Sequence, residues 1–330
     1  MELRTLGRTG LRVSTLGFGC GNVGGLMIRG TPAEQERGVA RAVELGVNYF
    51  DTAPSYGDGA SETNLGRVLR ALRPPVYVGT KVRLAPGDLT DVRGAVARSL
   101  EASLGRLGLP RVDLLQLHNR IGATRGPDAV SVEDVLREIV PAMTRLREQG
   151  KTRFVGITAL GETAALHRVL AAGVLDTAQV CCNLLNPSAA VAVPPGFPAQ
   201  DFERLLGRAR EHEVGTIVIR VLAAGALSAT EARHPVAVPS VEPIATAADY
   251  GTDVARARTL GALVSEGHAT DLVEASLRFA AGADAVSTIL VGYSSLQHLE
   301  AAAAAVNRGP LPPAALARLT ALWRSLAAAR

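Results

Sequence analysis

The sequence is poor in several residue types on which particular classes of protein depend. Its three cysteines, Cys20, Cys181 and Cys182, provide neither the even-numbered framework of a disulfide-rich secreted domain nor the paired spacing of a zinc site. We therefore interpret them as small buried packing residues. No uninterrupted apolar run approaches the roughly 18 residues that span a bilayer, so the sequence excludes a membrane protein on this criterion.

The sequence also has few aromatic residues, and neither positive nor negative charge is in large excess. Phe, Trp and Tyr make up 4% of the chain, and 35 basic residues stand against 31 acidic ones for a formal charge of +4. The two signs are interspersed, with no basic tail and few aromatic residues to stack on bases, so we expect no nucleic-acid partner. Residues 1–14 carry charges where a signal peptide would need an apolar stretch, which predicts a cytoplasmic protein.

The sequence does have a regular alternation of short apolar runs with helical stretches. With 330 residues and 47% hydrophobic content, the length allows two domains or a single α/β barrel. The predicted strands lie at 14–20, 48–51, 76–81, 113–118, 153–158, 177–182, 215–222 and 287–292. The predicted helices lie near 32–45, 61–72, 91–107, 131–149, 161–173, 200–213 and 295–306. Eight such strands close a (β/α)8 TIM barrel, so we predict an α/β fold in which residues 1–330 form one domain.

Three segments fall outside the repeating units. Residues 2–14 predict a short N-terminal β-hairpin before the barrel, with Gly7 and Gly10 at its turn. Residues 313–328 have the pattern of an extra C-terminal amphipathic helix. Residues 223–265, rich in alanine, proline and polar residues, predict a long loop over the barrel mouth, because long loops in compact domains are usually functional.

Three predicted strands end in a titratable residue, namely Asp51, Lys81 and His118. Active sites of this fold lie at the carboxyl ends of the strands, and adjacent strands are about 4.8 Å apart, so these side chains are expected to converge. Tyr56 lies in the loop after Asp51, close enough to fold over the same point. Lysine is rare here, at positions 81 and 151 alone, and an ammonium is a compact charge whose pKa shifts more readily than that of a guanidinium.

These four residue types suit proton transfer beside a carbonyl or hydroxyl group. A tyrosine hydroxyl ordinarily titrates at about pH 10, and a nearby ammonium favours its phenolate. A carboxylate stabilises that ammonium, and a histidine can donate a hydrogen bond to a substrate oxygen. Each residue also has a structural interpretation: Asp51 as a loop cap, His118 as a core histidine, Tyr56 as a surface aromatic and Lys81 as a solvated strand end.

The same residues carry a resemblance to a known family. Residues 48–57, NYFDTAPSYG, closely resemble the FDTAxxYG signature of the aldo-keto reductases, and further similarity follows in family order at 61–62, 65–66, 79–81, 99–104, 113–118 and 156–158. The resemblance implies a (β/α)8 barrel without a metal that transfers hydride between nicotinamide C4 and the carbon of an aldehyde, ketone or sugar hydroxyl. By position, Tyr56 would be the proton donor, Asp51 and Lys81 would tune it, and His118 would orient the substrate oxygen.

The resemblance also implies a set of cofactor contacts. Thr158 and Ala159 stand where the family commonly has a Ser-Asn pair for the carboxamide, and Gln179 matches its amide-binding glutamine. Ile219 or Arg220 occupies the place of the aromatic residue that usually stacks on the nicotinamide. The residues assigned to the cofactor are Gly19, Cys20, Asp51, Thr158, Gln179, Arg220, Leu222, Gly292, Ser294, Ser295 and His298.

The start of the last predicted barrel helix bears on the choice of nucleotide. Free N–H groups at a helix N-terminus can receive a phosphate, although Ser294 and Gln297 also have the spacing of a structural capping box. Members that prefer NADP usually place an arginine or lysine at the position of Ser294 or Ser295, and neither serine is charged. The general cofactor preference of the family still favours NADP(H) slightly over NAD(H). An arginine of the 223–265 segment would then supply the positive charge for the 2′-phosphate.

Two other functions fit the same barrel. One is a non-catalytic nicotinamide-binding redox sensor, similar to channel β-subunits of this fold, and the other is an isomerase or aldolase that uses Lys81 as a Schiff base. The expected partner is a small carbonyl or sugar substrate, and the sequence predicts no oligomeric state. Arg29, Arg83 and Arg120, near the predicted mouth, would favour polyhydroxylated or anionic substrates unless they are ordinary solvated charges.

Overall fold

Eight parallel strands close into a barrel in the computed structural model, which describes residues 1–328. In chain order the strands are β1 (Leu3–Thr5), β2 (Arg12–Ser14), β3 (Leu16–Gly19), β4 (Tyr49–Asp51), β5 (Tyr77–Val82), β6 (Val112–Leu117), β7 (Arg120–Gly122), β8 (Ala129–Ser131), β9 (Thr152–Ala159), β10 (Thr177–Cys181), β11 (Gly215–Ile219) and β12 (Val286–Gly292). Around the barrel the order is β3-β4-β5-β6-β9-β10-β11-β12, and β12 pairs with β3 to close it. The predicted (β/α)8 barrel is confirmed.

The N-terminal hairpin closes the amino end of the barrel. β1 and β2 pair antiparallel, and Gly10 at their turn has a left-handed φ of 69°, which glycine adopts without strain. Leu6, Leu11 and Val13 from this hairpin form one apolar cluster with inward-facing strand residues such as Tyr49. The bottom of the barrel is therefore filled by packed side chains, and the open end is the one at the strands' carboxyl ends.

Helices cover the outside of the barrel. They are α1 (Leu26–Arg29), α2 (Pro32–Glu44), α3 (Ala60–Leu72), α4 (Val92–Leu107), α5 (Val132–Asp134), α6 (Val140–Glu148), α7 (Thr163–Ala171), α8 (Leu205–Glu211), α9 (Tyr250–Thr259), α10 (Ala262–Ser265), α11 (Leu272–Gly282), α12 (Leu296–Asn307) and α13 (Pro313–Ala328). The extra C-terminal helix is α13, whose Trp323 donates its indole N–H to the carbonyl of Leu184 at 2.9 Å. Within residues 1–328 we find no helix with the length and apolarity needed to cross a membrane.

The structure differs from the predicted elements mainly after β11. The strand ends at Ile219 rather than at residue 222, because Arg220 takes a left-handed φ of 58° and leaves the extended conformation. The 223–265 segment is not a continuous loop, since it contains a 3-10 helix (Ala223–Ser228), α9 and α10. α11 was not among the predicted helices.

Candidate active site

A cavity of about 790 Å³ opens at the carboxyl ends of the barrel strands. Its volume is in the usual range of small-molecule and cofactor sites. Of the residues selected from sequence, those that line it are Gly19, Asp51, Tyr56, His118, Thr158, Gln179, Arg220, Leu222, Gly292, Ser294 and His298. Three others do not line it: Lys81 lies beneath Asp51 and Tyr56, Cys20 packs in the core, and Ser295 caps a helix.

The carboxylate of Asp51 is the centre of a buried hydrogen-bond network. Its Oδ2 accepts hydrogen bonds from Gln179 Nε2 at 2.6 Å, from the Tyr49 hydroxyl at 3.0 Å and from Gln116 Nε2 at 3.2 Å. Its Oδ1 accepts a hydrogen bond from the Lys81 ammonium. A buried carboxylate is costly unless it is paired and hydrogen-bonded, and here both conditions are met. The network fixes the orientation of Asp51 at the floor of the cavity.

Lys81 is a buried ammonium directed at the ring of Tyr56. Its side chain is 1% exposed, and Nζ also donates to the carbonyl of Thr52 at 2.8 Å. Burial by itself lowers the pKa of Lys81, but the Asp51 carboxylate and the Tyr56 side chain together outweigh burial, so the pKa lies above its ordinary value and the group is charged at neutral pH. Nζ lies 4.8 Å from the centroid of the Tyr56 ring, where its charge stabilises negative charge on the phenol.

Tyr56 and His118 face each other across the cavity floor. Their rings pack edge to face with centroids 5.9 Å apart and an interplanar angle of 88°. The Tyr56 loop is held by Asn22, whose Oδ1 accepts a hydrogen bond from the Gly57 amide at 2.9 Å. A Cβ at Gly21 would lie 3.5 Å from the Tyr56 ring, so the backbone of the loop that follows β3 packs closely on the phenol.

Burial, together with the positive charges of Lys81 and Arg83, lowers the pKa of His118 to about 3. The imidazole is therefore neutral at physiological pH, and a neutral imidazole has one N–H donor and one acceptor nitrogen. A neutral histidine beside a tyrosine hydroxyl can donate a hydrogen bond to an oxygen bound between them.

We expect the stability of the protein to fall more steeply on acidification than that of a His118→Asn variant. In the unfolded chain a histidine takes up its proton around pH 6.5, whereas folded His118 does so only at about pH 3. Between these values the unfolded state binds more protons, so stability increases with pH in this window and is lost as pH falls. The substitution should remove up to about 1.4 kcal/mol per pH unit from that slope. Urea unfolding at pH 4, 5 and 6 measures the difference, and equal slopes for the two proteins would contradict it.

The far side of the cavity is built by the loop after β3 and the start of α12. Ser294 Oγ donates to the carbonyl of Gly24 at 2.7 Å, and a Cβ at Gly24 would overlap the backbone of Gly292 and Tyr293. The close approach requires glycine at 24. The Ser294 hydroxyl is buried and is used in this hydrogen bond within the protein.

The structural alternative considered for this segment, a capping box of Ser294 and Gln297, is not formed. The N-cap of α12 is Ser295, whose Oγ accepts from the His298 amide at 3.3 Å. The helix begins one residue later than the spacing suggested because Ser294 is held by Gly24 instead.

Sequence analysis missed several residues of the site. Tyr49 stands two residues before Asp51 on β4, and Gln116 stands on β6 two residues before His118, which directly follows that strand. The two-residue period of a strand would have placed each pair on the same inward face. Asn22 gave no such signal, because its contact with Gly57 joins two loops. Residues of the 223–265 segment line the cavity as well, among them Arg233 and His234.

The arginines expected near the mouth do not line this cavity. Arg29 is bound to the carbonyls of Val236 and Asn22, and Arg83 forms an exposed ion pair with Asp128. Arg120 is exposed on β7, outside the cavity lining. Within residues 1–328 no cluster of three His, Cys, Asp or Glu side chains has the arrangement of a metal site.

Comparison with known proteins gives consistent matches over nearly the whole chain. The model of the Aldo/keto reductase family matches residues 15–324. An L-galactose dehydrogenase of Arabidopsis thaliana is 32% identical over 316 residues, which cover 93% of this chain and 88% of that protein. A D-threo-aldose 1-dehydrogenase of a Pseudomonas species is 29% identical over 256 residues, 68% of this chain and 70% of that protein.

A solved structure agrees with these sequence matches. An aldo-keto reductase of Bacillus halodurans in its holo form superimposes with a TM-score of 0.71 at 25% identity, covering 99% of this chain and 96% of that one. The similarity therefore includes the hairpin, the barrel and the segments over its mouth, and is not confined to the barrel strands.

Proposed function

The chain belongs to the aldo/keto reductase family and is an oxidoreductase of that family, and from this premise we propose that Tyr56 is its general acid and base in the interconversion of a carbonyl and a hydroxyl group. The observation that carries the proposal is the placement of the charged Lys81 ammonium, which lies 4.8 Å from the centroid of the Tyr56 ring and forms a buried ion pair with Asp51. An ammonium at this distance stabilises the negative charge that the phenol oxygen carries when its proton is transferred.

The four side chains take distinct parts in this reaction. In reduction Tyr56 gives its proton to the carbonyl oxygen, and in oxidation it takes the proton from the hydroxyl. Lys81 stabilises the phenolate that remains, and Asp51 holds Lys81 in place. His118, being neutral, donates a hydrogen bond that orients the reacting oxygen.

The residues around the cavity fit a nicotinamide cofactor, the cofactor class used by this family. When bound, the nicotinamide supplies or accepts the hydride at its C4 position. Gln179 of β10 and Thr158 of β9 stand side by side, with the Thr158 hydroxyl 3.3 Å from Gln179 Oε1, and both can bind a carboxamide. The glycines at 19, 21 and 292 leave room for a flat ring to approach the backbone. At the other end, the first turn of α12 offers amide N–H groups to a phosphate.

We propose NADP(H) as the preferred nucleotide, with its 2′-phosphate near Arg233. Ser294 and Ser295 carry no charge and are bonded within the protein, and burial lowers the pKa of His298, with His234 adding to the effect. Arg233 is the cation that lines the cavity near this pair of histidines. Its Nε and Nη1 are bound to the carbonyls of Val238 and Ala224, which leaves Nη2 for a phosphate oxygen.

Fluorescence titration with NADPH and NADH tests this assignment. We expect an Arg233→Gln variant to bind NADPH about tenfold or more weakly, and NADH with little change, because hydrogen bonds to charged groups contribute about 1.5–3 kcal/mol. Arg29→Gln is the matched control, since Arg29 also holds this segment through backbone carbonyls but does not line the cavity. An equal loss of both nucleotides, or binding of neither by the native protein, would contradict the proposal.

The substrate class we propose is an aldehyde, ketone or sugar. The names of the two dehydrogenase relatives support a sugar among these, and a panel of carbonyl compounds and aldoses with the preferred nucleotide would identify the reaction. Turnover in that panel also separates an enzyme from a redox sensor that only binds nucleotide. A Schiff base at Lys81 is disfavoured, because Lys81 is buried, charged and outside the cavity lining.

A further inference from the structure

The loop that carries Tyr56 contains a run of left-handed residues. It joins β4 to α3 over residues 52–59, and Gly57, Asp58 and Gly59 have φ angles of 59°, 51° and 85°. Glycine adopts this region without strain, whereas Asp58 has a Cβ and is less favourable there. Strained residues persist only where the surrounding structure holds them, and they are concentrated at functional sites. The position of Tyr56, which directly precedes the run, therefore depends on how the ends of the loop are held.

The two ends of the loop are joined by a pair of buried hydroxyl groups. Thr52 Oγ1 and Ser61 Oγ are 2.8 Å apart, and both residues are 0% exposed. Ser61 Oγ also donates to the carbonyl of Cys20 at 2.8 Å. A hydroxyl has one proton to donate, so the bond between the two side chains is donated by Thr52. The first residue of the loop is thereby fixed to the first turn of α3.

Thr52 also connects the loop to the buried ammonium. Its carbonyl accepts a hydrogen bond from Lys81 Nζ at 2.8 Å, and its amide donates to the carbonyl of Gly79 at 2.9 Å. One residue thus contacts Lys81 through its backbone and α3 through its side chain. Since Nζ lies 4.8 Å from the centroid of the Tyr56 ring, a movement of α3 relative to Thr52 would change the separation of the ammonium and the phenol.

A second connection joins α3 to the strand that carries Lys81. Glu62 is 0% exposed, and its Oε1 accepts a hydrogen bond at 2.5 Å from the hydroxyl of Thr80, the neighbour of Lys81 on β5. Its Oε2 accepts from Arg106 Nε at 2.6 Å, so the buried carboxylate is both paired and hydrogen-bonded. Arg106 in turn lies against the loop, because a Cβ at Gly59 would be 2.8 Å from its Cδ.

We propose that the buried groups at the ends of this loop, those of Thr52, Ser61 and Glu62, are positioning residues of the reaction. They hold Tyr56 against the Lys81 ammonium in the geometry that proton transfer requires, since a misplacement of about 1 Å can cost about 100-fold in rate. None of the three lines the cavity, so they act through Tyr56 and not on substrate or nucleotide. This inference rests on the proposed function, and it assigns a part to two residues of the family resemblance that the proposed reaction does not use.

Thr52→Val tests the proposal, because it removes one hydroxyl and keeps the shape of the side chain. The carbonyl that binds Lys81 remains, and Ser61 keeps its bond to Cys20, so the variant is expected to fold. We expect kcat to fall about tenfold or more, while nucleotide affinity stays within about twofold of the native value. The pH at which kcat is half-maximal should rise by about half a unit or more, because the displaced phenolate is stabilised less by the ammonium.

Two further variants complete the set on the same loop. Thr80→Val breaks the second connection and leaves Glu62 paired with Arg106, so it should change kcat and the pH profile in the same direction. Thr52→Ser restores the hydroxyl and should recover most of the kcat that Thr52→Val loses.

Thr152→Val is the matched control. Thr152 is 2% exposed, and its hydroxyl donates to the carbonyl of Phe154 at 3.0 Å at the amino end of the barrel. This variant removes a buried hydroxyl of the same kind, so it should lower the free energy of unfolding but leave kcat and its pH profile unchanged. Equal losses of kcat in Thr52→Val and Thr152→Val would overturn the positioning role.

A spectroscopic measurement separates this inference from the proposed function. The His118 ring packs edge to face on Tyr56 with centroids 5.9 Å apart, so its imidazole resonance in histidine-labelled protein reports the position of the phenol whether or not turnover occurs. We expect this resonance, assigned by its loss in His118→Asn, to shift in Thr52→Val and not in Thr152→Val. An unshifted resonance in Thr52→Val would overturn the inference. A native protein that binds nucleotide but converts no carbonyl compound or sugar would instead contradict the proposed function, and the resonance would still decide whether the loop ends position Tyr56.

Discussion

Replacing Tyr56 by phenylalanine is expected to lower kcat by about 10²- to 10⁴-fold while nucleotide affinity stays within about twofold of the native value. The substitution removes the hydroxyl that exchanges a proton with the substrate and keeps the ring that packs on Gly21 and His118. The fold and the cavity should therefore be retained, and the loss should appear in kcat. Steady-state kinetics with the best substrate of the panel and nucleotide fluorescence titration measure the two quantities separately.

Tyr250→Phe is the matched control for this experiment. Tyr250 lines the same cavity but stacks under Arg233 and is not packed beside Lys81, so loss of its hydroxyl should change kcat little. A Tyr56→Phe variant that keeps more than about a tenth of the native kcat would assign the proton transfer to another group. A native protein with no turnover, and with nucleotide binding equal to that of the variant, would favour the redox sensor instead.

Replacing Lys81 by methionine is expected to lower the free energy of unfolding by about 3–5 kcal/mol as well as activity. The variant keeps the length of the side chain but leaves the buried Asp51 carboxylate without its counter-charge, and the neutral donors Tyr49, Gln116 and Gln179 cannot replace an ammonium. Denaturant unfolding at pH 7 measures the loss.

The chain provides a direct comparison, because its only other lysine forms an exposed ion pair. Lys151 pairs with Glu101 at the surface, and Lys151→Met should cost about 0–1 kcal/mol. A double variant that combines Lys81→Met with Asp51→Asn should regain much of the stability lost by Lys81→Met, because the unpaired charge is removed. It should remain inactive. The prediction is contradicted if Lys81→Met and Lys151→Met lower the free energy of unfolding equally, or if the double variant is no more stable than Lys81→Met.

Sequence alone determined the barrel and the groups at its rim. The alternation of strands and helices predicts parallel pairing, and parallel strands necessarily bring their carboxyl ends to one side of the sheet. Asp51, Lys81 and His118 could therefore be placed together without any contact being known, and the resemblance at residues 48–57 placed Tyr56 with them. These predictions depend on local periodicity and on chain direction, and both can be read directly from the sequence.

Tertiary structure decided what depends on contacts between distant segments. The left-handed backbone of Arg220 is held by Asn183, the start of α12 is moved by a bond between Ser294 and Gly24, and Arg233 reaches the cavity from a segment predicted to be a loop. In the first two cases two stretches far apart in sequence satisfy each other's polar groups, whereas Arg233 is held by Val238 and Ala224 of its own segment. Such pairing depends on which segments fold against each other, and neither periodicity nor residue type indicates it in advance.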